Sequence, residues 1–343
     1  MQVTTYFTPF NSTFRIIVEP YENMSDNAAD CCGEKICKPL LTQIGRTFMQ
    51  NNYFRGVPVN CGLMCYVLRL GDGRFIVIDG GVANEGFADG IMNVLKKQAP
   101  DPENIVVAAW IITHTHNDHT GGFIKFTEKY YDCPEVRIDE LICNYPGERD
   151  CIDWFEKNEY FLRQRSIANF RAFNREGKVT KIHTGEVRQI GGAEIEFLAT
   201  QEDFRTSFRS WKDTRDWNNT SVVFRVREAG YGMMFLADAC IIENDILTAM
   251  YGSYLKSDFC QTAHHGGKGG TVEVYTAIDP EVATYTTSDE ALTVYLGDRA
   301  NAHLANELHV KEILNAANRI TELDIPYVAG TSRVIDNEAD IKL

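Results

Sequence analysis

The sequence predicts an α+β fold in which sheets are covered by helices. Strand-like segments come in blocks with helical segments between the blocks, not in strict β–α alternation. One segment, Ile105 to Thr113, is a continuous run of β-branched, aromatic and small apolar residues, as a strand buried on both faces requires. No 20–50-residue repeat, low-complexity tract or Pro/Gly/Ser linker divides the chain, so one domain with embellishments is expected.

Residues 1–60 read as irregular, with a polar loop from Tyr21 to Gly33. Leu63–Leu70 and Arg74–Asp79 flank Gly71-Asp72-Gly73. Turn chemistry between two apolar runs predicts a β-hairpin. A helix is expected near Phe87 to Lys97, ahead of the buried strand. Glu148 to Lys178 is charged, aromatic and helical in flavour, and reads as an insertion. Ile190–Leu198, Ser221–Val226 and Met233–Asp238 read as strands, Ile242–Leu255 as a helix, and Phe259–Ala263 as a short strand. A long helix is expected over Asn301–Leu323, then two final strands near Tyr327 and Arg333.

Composition removes several function classes. With 44% apolar and 24% charged residues in 343, the chain can bury a large core, which excludes disorder as the main state. The longest strongly apolar stretch, Ile105 to Ile112, is far short of the ~20 residues of a spanning helix, so no membrane span is expected. Acids outnumber bases 48 to 34, a formal charge of −14, which disfavours long nucleic acid and anionic membrane as partners. The opening MQVTTYFTPFNSTFRIIVEP has no basic region followed by an apolar block. The ten cysteines therefore read as reduced thiols of a cytoplasmic protein. Cys31, Cys32 and Cys37 cluster, but no fourth ligand at sensible spacing makes them a zinc site.

The chemistry concentrates just after the buried strand. THTHNDHTGG, from Thr113 to Gly122, places His114, His116, Asp118 and His119 within six residues. His114 and His116, two apart at a strand end, can face one point; Asp118 and His119, a turn later, can face a second. Neutral imidazoles and a carboxylate suit Zn²⁺ or a similar borderline cation. FIVIDGG ends a strand on Asp79, FLADA ends another on Asp238, and FCQTAHHGGKGG ends a third on His264 and His265. Each alone has an ordinary reading, as a turn residue or a surface pair. Together, at strand ends beside small residues, they point to a metal centre.

From Cys61 to the C-terminus this ordered set resembles the metallo-β-lactamase superfamily. The resemblance implies a four-layer αββα sandwich with metals at one edge between the sheets. It implies a domain over 61–343, an N-terminal extension over 1–60 packed on it, and a helical insertion at 148–178. It assigns His114 and His116 to one metal and Asp118 and His119 to the other. Asp238 would bridge both, and one of His264 or His265 would complete the second. Asp79 would orient a ligand and its loop. WNNTSVVFRV (217–226), FLADA and AHHGG look most like the DNA-uptake competence-protein branch and its phosphoester-hydrolysing relatives, though that branch has Gly where this chain has Ala237 and Ser where it has Gly267. Asn218, Asn219 and Ser221 read as a strand-start turn held by side-chain hydrogen bonds rather than as catalytic groups. Many superfamily members carry a further His where this chain has Gln201-Glu202-Asp203. Either a carboxylate substitutes, or the first metal has only His114, His116 and Asp238. His183 reads as a surface residue; His309 or His303 is a minor candidate for a pocket histidine.

The expected protein is a binuclear metal-dependent hydrolase holding two divalent cations, Zn²⁺ first and Mn²⁺ or Fe as alternatives. A metal-activated hydroxide would attack a small phosphoester. Asp118, or the unligated member of the His264–His265 pair, would pass a proton to the leaving group. Lys268 could meet an anionic group, against its plainer reading as a solvated loop lysine. The alternatives are hydrolysis of an acyl substrate (lactone, thioester or lactam) and a non-enzymatic binding protein on a hydrolase fold. A small-molecule substrate is expected in either catalytic case. In the 148–178 segment, Arg149, Trp154, Arg163, Arg165, Arg171 and Phe173 would either cover the pocket or pack on the core.

Overall fold

A computed structural model describes residues 37–45, 48–54, 57–61, 63–148, 157–203, 216–317 and 319–335, all within one compact unit, residues 36–343. The chain begins with β1 (Leu40–Ile44), β2 (Phe48–Phe54), β3 (Val57–Cys61), β4 (Tyr66–Arg69) and β5 (Phe75–Ile78). It continues through α1 (Glu85–Gln98), β6 (Ile105–Ile112), α2 (Asn117–Lys129), β7 (Val136–Ile138), β8 (Glu140–Cys143), α3 (Lys157–Phe173) and β9 (Lys178–Lys181). Next come β10 (Val187–Ile190), β11 (Ala193–Ala199), β12 (Val223–Glu228), β13 (Tyr231–Phe235), α4 (Ile241–Tyr251), β14 (Phe259–Gln261), α5 (Val272–Ile278) and β15 (Val282–Tyr285). The last elements are α6 (Asp289–Tyr295), α7 (Arg299–Glu307), β16 (Glu312–Asn315), β17 (Ile320–Asp324) and β18 (Arg333–Ile335).

Among the described residues, one sheet runs β18-β17-β1-β4-β5-β6-β8-β9 with β7 also on β6, and a second runs in sequence order from β10 to β16. β5, β6 and β8 are parallel neighbours in the first; β13, β14, β15 and β16 are parallel in the second. The two sheets meet across a core that takes Leu41, Tyr66, Ile76 and Ile111 from one and Ile195, Phe224, Phe235 and Phe259 from the other. The opposite face of the first sheet packs on α1, α2 and α3 through Val77, Trp110, Ile91, Phe123 and Phe170. The opposite face of the second packs on helices α4, α5 and α7 through Met234, Leu247, Val274 and Leu304. This is the four-layer αββα sandwich. β6 shows why its sequence is unbroken by polar residues: Ala109 and Ile111 enter the inter-sheet core while Val107, Trp110 and Ile112 enter the helix layer.

Three expectations need correction. Residues 40–44, 48–54 and 57–60 are not irregular but lie in strands: β1 sits inside the first sheet between β17 and β4, with all five residues buried. Its polar Thr42 and Gln43 hid it. Gln43 donates to Tyr66 Oη (3.1 Å) and to the Tyr285 carbonyl (2.9 Å), and Gln98 donates to Thr42 (2.6 Å), so burial is satisfied without an apolar pattern. The Tyr21–Gly33 loop and Cys31 and Cys32 lie outside the described residues. The long helix over Asn301–Leu323 is instead α7, β16 and β17. Glu312–Asn315 pairs in parallel with β15 and Ile320–Asp324 pairs with β1, so open sheet edges override helix-favouring composition. Finally, Tyr327 lies in no strand; its hydroxyl donates to Glu312 (2.6 Å).

The 148–178 segment contains α3, whose Phe170 is fully buried, with Leu162, Ile167 and Phe173 packed beside it and Arg165 bonded to Glu128 (2.8 Å). The described part packs on the core; Arg149 and Trp154 lie outside the described residues. Cys37, Cys65, Cys133, Cys143, Cys240 and Cys260 are free thiols. Among the described residues no helix is long and apolar enough to cross a membrane.

Candidate metal centre

Every residue singled out at a strand end follows the C-terminal end of a parallel strand: Asp79 after β5, His114 after β6, Asp238 after β13, His264 and His265 after β14. Two sheets packed face to face bring these ends to one edge of the sandwich, as open parallel sheets do at their binding crevices. The backbone there is strained. Asp79, Ala237, His264 and His265 all hold positive φ (50–56°), four of the seven non-glycine residues in that state among those described. Close packing fixes the turns: a Cβ on Gly122 would lie 1.7 Å from the Gly80 carbonyl, which explains the two glycines closing THTHNDHTGG.

Asp238, 1% exposed, lies at the centre. His119 Nε2 is 3.2 Å from its Oδ1, while His265 Nε2 (3.5 Å), His264 Nε2 (3.7 Å) and His114 Nε2 (3.9 Å) surround its Oδ2. His265 Nε2 also lies 3.3 Å from Asp118 Oδ2. Burial alone would raise the carboxyl pKa of Asp238, but the imidazoles of His265, His119 and His264 outweigh it and hold the group well below the usual carboxylate range. Asp118 is likewise held low against burial, by His265 and His119. For His119 burial is opposed by Asp238 and Asp79, which hold its pKa well above an ordinary imidazole; in the same way Asp238 and Asp118 push His265 up to about 9. His114 goes the other way, lowered by burial and by its neighbours His119 and His116.

The orientation of these rings is enforced from behind. Asp79, fully buried, accepts from the Thr113 amide (2.8 Å), the Thr113 hydroxyl (2.8 Å) and His119 Nδ1 (2.7 Å). A carboxylate can only accept, so His119 carries its proton on Nδ1 and turns Nε2 toward Asp238. His265 Nδ1 shares a 2.6 Å hydrogen bond with Thr286 Oγ1, leaving its Nε2 for the cluster. Thr286 follows β15 and was not read from the sequence; its signal was a threonine at the end of the next parallel strand. Ser221 and Gln261 were also missed as positioning groups. Ser221 Oγ accepts the Asp238 amide (3.2 Å), and Gln261 brackets Ala237, accepting its N–H (2.7 Å) and donating to its carbonyl (3.2 Å).

These donors fit a cation. His119 Nε2, Asp238 Oδ1 and His265 Nε2 are buried without a hydrogen-bond partner although ligand atoms crowd within 3.2–3.5 Å. Two atoms each about 2.05 Å from one tetrahedral ion stand about 3.3 Å apart. Among the described residues two groups bring one ligand atom each to within 4.8 Å of one another: His114 with His119 and Asp238, and Asp118 with His119 and His265. The second brings together residues expected at one cation. The first differs, because His116 stands beside His114 (Nδ1 to Nε2, 3.0 Å) outside both groups. His264 approaches Asn218 Nδ2 (3.4 Å) and Asp238, with a quarter of its side chain exposed.

The remaining candidates fall elsewhere. Glu202 pairs with Lys181 and His183, and Asp203 accepts from the Thr200 amide and Thr184, so neither is turned into the two groups. His309 is exposed and bonded to Asp279 (2.8 Å), and His303 bonds Thr276 and Glu307. Lys268 is exposed beside the histidine turn.

α4 buries Glu243, 3% exposed, with neither oxygen hydrogen-bonded. Burial, then the charge of Asp203, holds its pKa well above the usual 4.5. The folded state therefore keeps a proton that the unfolded chain loses above pH ~4.5, so this group costs stability as pH rises, by up to ~1.4 kcal/mol per unit. Melting curves at pH 5 and pH 8 should show Glu243→Gln losing less stability over that interval than the wild type.

Residues 56–283 match the family described as the metallo-beta-lactamase superfamily. No curated protein matches the chain. Among solved structures it is similar to the metallo-beta-lactamase fold protein YhfI from Bacillus subtilis, at 11% identity over 81% of this chain and 95% of that one, TM-score 0.44. It is similar to CmlA, a diiron beta-hydroxylase from Streptomyces venezuelae, at 13% identity and TM-score 0.48; the match covers 84% of this chain and 54% of CmlA. It is similar to unliganded yeast PDE1 at 12% identity over 82% of this chain and 98% of that one, TM-score 0.48.

Proposed function

Because this chain belongs to the metallo-beta-lactamase superfamily, we propose that it is a metal-dependent hydrolase of a small phosphoester. The observation that carries the reading is Asp238: one buried carboxylate within 4 Å of four imidazoles, beside inward-turned nitrogen and oxygen atoms that bond to nothing else. His114 and Asp238 would hold one cation, with His116 alongside; Asp118, His119, His265 and Asp238 would hold the second, since His119 has only Nε2 free. Zn²⁺ suits the imidazole-rich set best, with Mn²⁺ or Fe as alternatives. Bound cations would lower the pKa of water toward neutrality and offset charge developing on the substrate.

The protein's own groups do the rest. Asp79 fixes the tautomer of His119, and Thr286 holds the ring of His265 with its Nε2 toward the cluster. Ser221 and Gln261 hold the strained turn that presents Asp238. His264, partly exposed on the rim and drawn to Asp238, is placed to hand a proton to a departing oxygen. Burial holds its pKa below the ordinary imidazole value. The paired histidines, and Gln201-Glu202-Asp203 in place of a further histidine, favour a phosphoester over a lactone, thioester or lactam.

Screening phosphomonoesters and phosphodiesters with Zn²⁺ or Mn²⁺ tests this. Turnover should need metal and fall at least ~100-fold in Asp118→Ala. A thioester or nitrocefin cleaved where no phosphoester is would shift the reading to acyl chemistry.

A further inference from the structure

We propose that a cleft beside the His264–His265 turn binds a second, distal phosphate of the substrate through Lys268 and Arg299, an inference that rests on the phosphoester reading. The cleft holds about 510 Å³. Its wall begins at Gly267, two residues past His265, and continues through Lys268 to the first turn of α7. Successive Cα atoms are 3.8 Å apart, so the Lys268 Cα lies within about 11 Å of the His265 Cα. The far wall is fastened to the histidine turn, because Asn301 Nδ2 donates to the Gly266 carbonyl (2.8 Å). A substrate of nucleotide size can therefore reach the metal-ligand cluster with one end and this cleft with the other.

The charges in the cleft are available. Arg225, Arg227, Arg319 and Arg333 are each tied to carboxylates. Lys268 and Arg299, both exposed, form no ion pair or hydrogen bond through their side chains among the described residues, and both line the cleft. Two acids, Asp298 and Glu273, also line the cleft, and Asp298 already has a partner. Two unpaired cations match the charge of a phosphate dianion, and the guanidinium fork can engage two of its oxygens. In a chain of net charge −14, local cations are what a doubly anionic ligand needs. Ile241, half exposed, and Val272 add an apolar wall for the body between the two phosphates. The substrate class is a small molecule with a ring or apolar body, phosphorylated at both ends.

The test is calorimetric titration of the purified, metal-loaded protein with adenosine 3′,5′-bisphosphate and, separately, adenosine 5′-monophosphate. The bisphosphate should bind ~10-fold or more tightly. Lys268→Ala and Arg299→Ala should each reduce that advantage, and the double variant should abolish it, with monophosphate affinity changed less than about twofold. Turnover of bis(4-nitrophenyl) phosphate, which has no distal phosphate, should be unchanged in both variants. Equal affinities in the wild type, or an advantage that survives the double substitution, would overturn the proposal. A bisphosphate advantage lost on substitution in a protein that turns over neither phosphomonoester nor phosphodiester would support the cleft and overturn the phosphoester reading instead.

Discussion

Asp238→Asn is expected to lower kcat/KM on any phosphodiester substrate by ~10³-fold or more, about 4 kcal/mol of transition-state stabilisation. Asparagine keeps the shape of the side chain and removes its charge. The loss is large because no other carboxylate can take the place: Asp118 reaches His265, while Asp79 is spent on Thr113 and His119. Four imidazoles within 4 Å would face a neutral amide, and cations held there would lose their shared anionic ligand. Metal content should fall in step with activity. Steady-state kinetics with metal analysis on the same preparation checks both, and circular dichroism separates this from unfolding.

The second large effect belongs to a residue that touches no cation. Asp79→Ala leaves the Thr113 amide, the Thr113 hydroxyl and His119 Nδ1 without an acceptor in a fully buried place. Each such orphan costs about 1–3 kcal/mol, so a loss of ~3 kcal/mol or more is expected in urea unfolding. Asp79→Asn separates stability from ring orientation. Its amide oxygen can still accept from Thr113, but its amide group can face His119 only as a donor. That favours the tautomer with the proton on Nε2, which removes the lone pair a cation would need. The asparagine variant should unfold nearer the wild type yet bind metal ~10–100-fold more weakly. Equal metal affinity in wild type and Asp79→Asn would contradict the role given to Asp79.

Much of the site was legible in the sequence because its residues are short-range and chemically distinctive. THTHNDHTGG follows directly on a strand whose apolar run marks burial on both faces, and Asp79, Asp238 and His265 each follow a parallel strand. What was hidden depends on contacts between distant segments. Choosing His265 over His264 needs Thr286, 21 residues away. The sharing of His119 between two ligand groups, with His116 standing aside, depends on how α2 approaches Asp238. In the fold, β1 was unreadable because Thr42 and Gln43 are satisfied by Gln98, Tyr66 and Tyr285 rather than by an apolar pattern. β16 and β17 were read as helix because no glycine or proline separates Asn301 from Leu323; the break runs through Ala317 at positive φ. Arg299 lacked any motif, and only the folding of α7 against the histidine turn gives it a place.

We propose above that the Asp238 cluster is a metal centre that drives phosphoester hydrolysis. It is tested most directly by bis(4-nitrophenyl) phosphate turnover before chelation, after chelation, and after re-addition of Zn²⁺ or Mn²⁺, with bound metal measured at each stage. Turnover and bound cation should disappear together, return together, and fail to return in Asp238→Asn. A folded wild type that retains full turnover after its metal falls below one ion per chain would contradict the account.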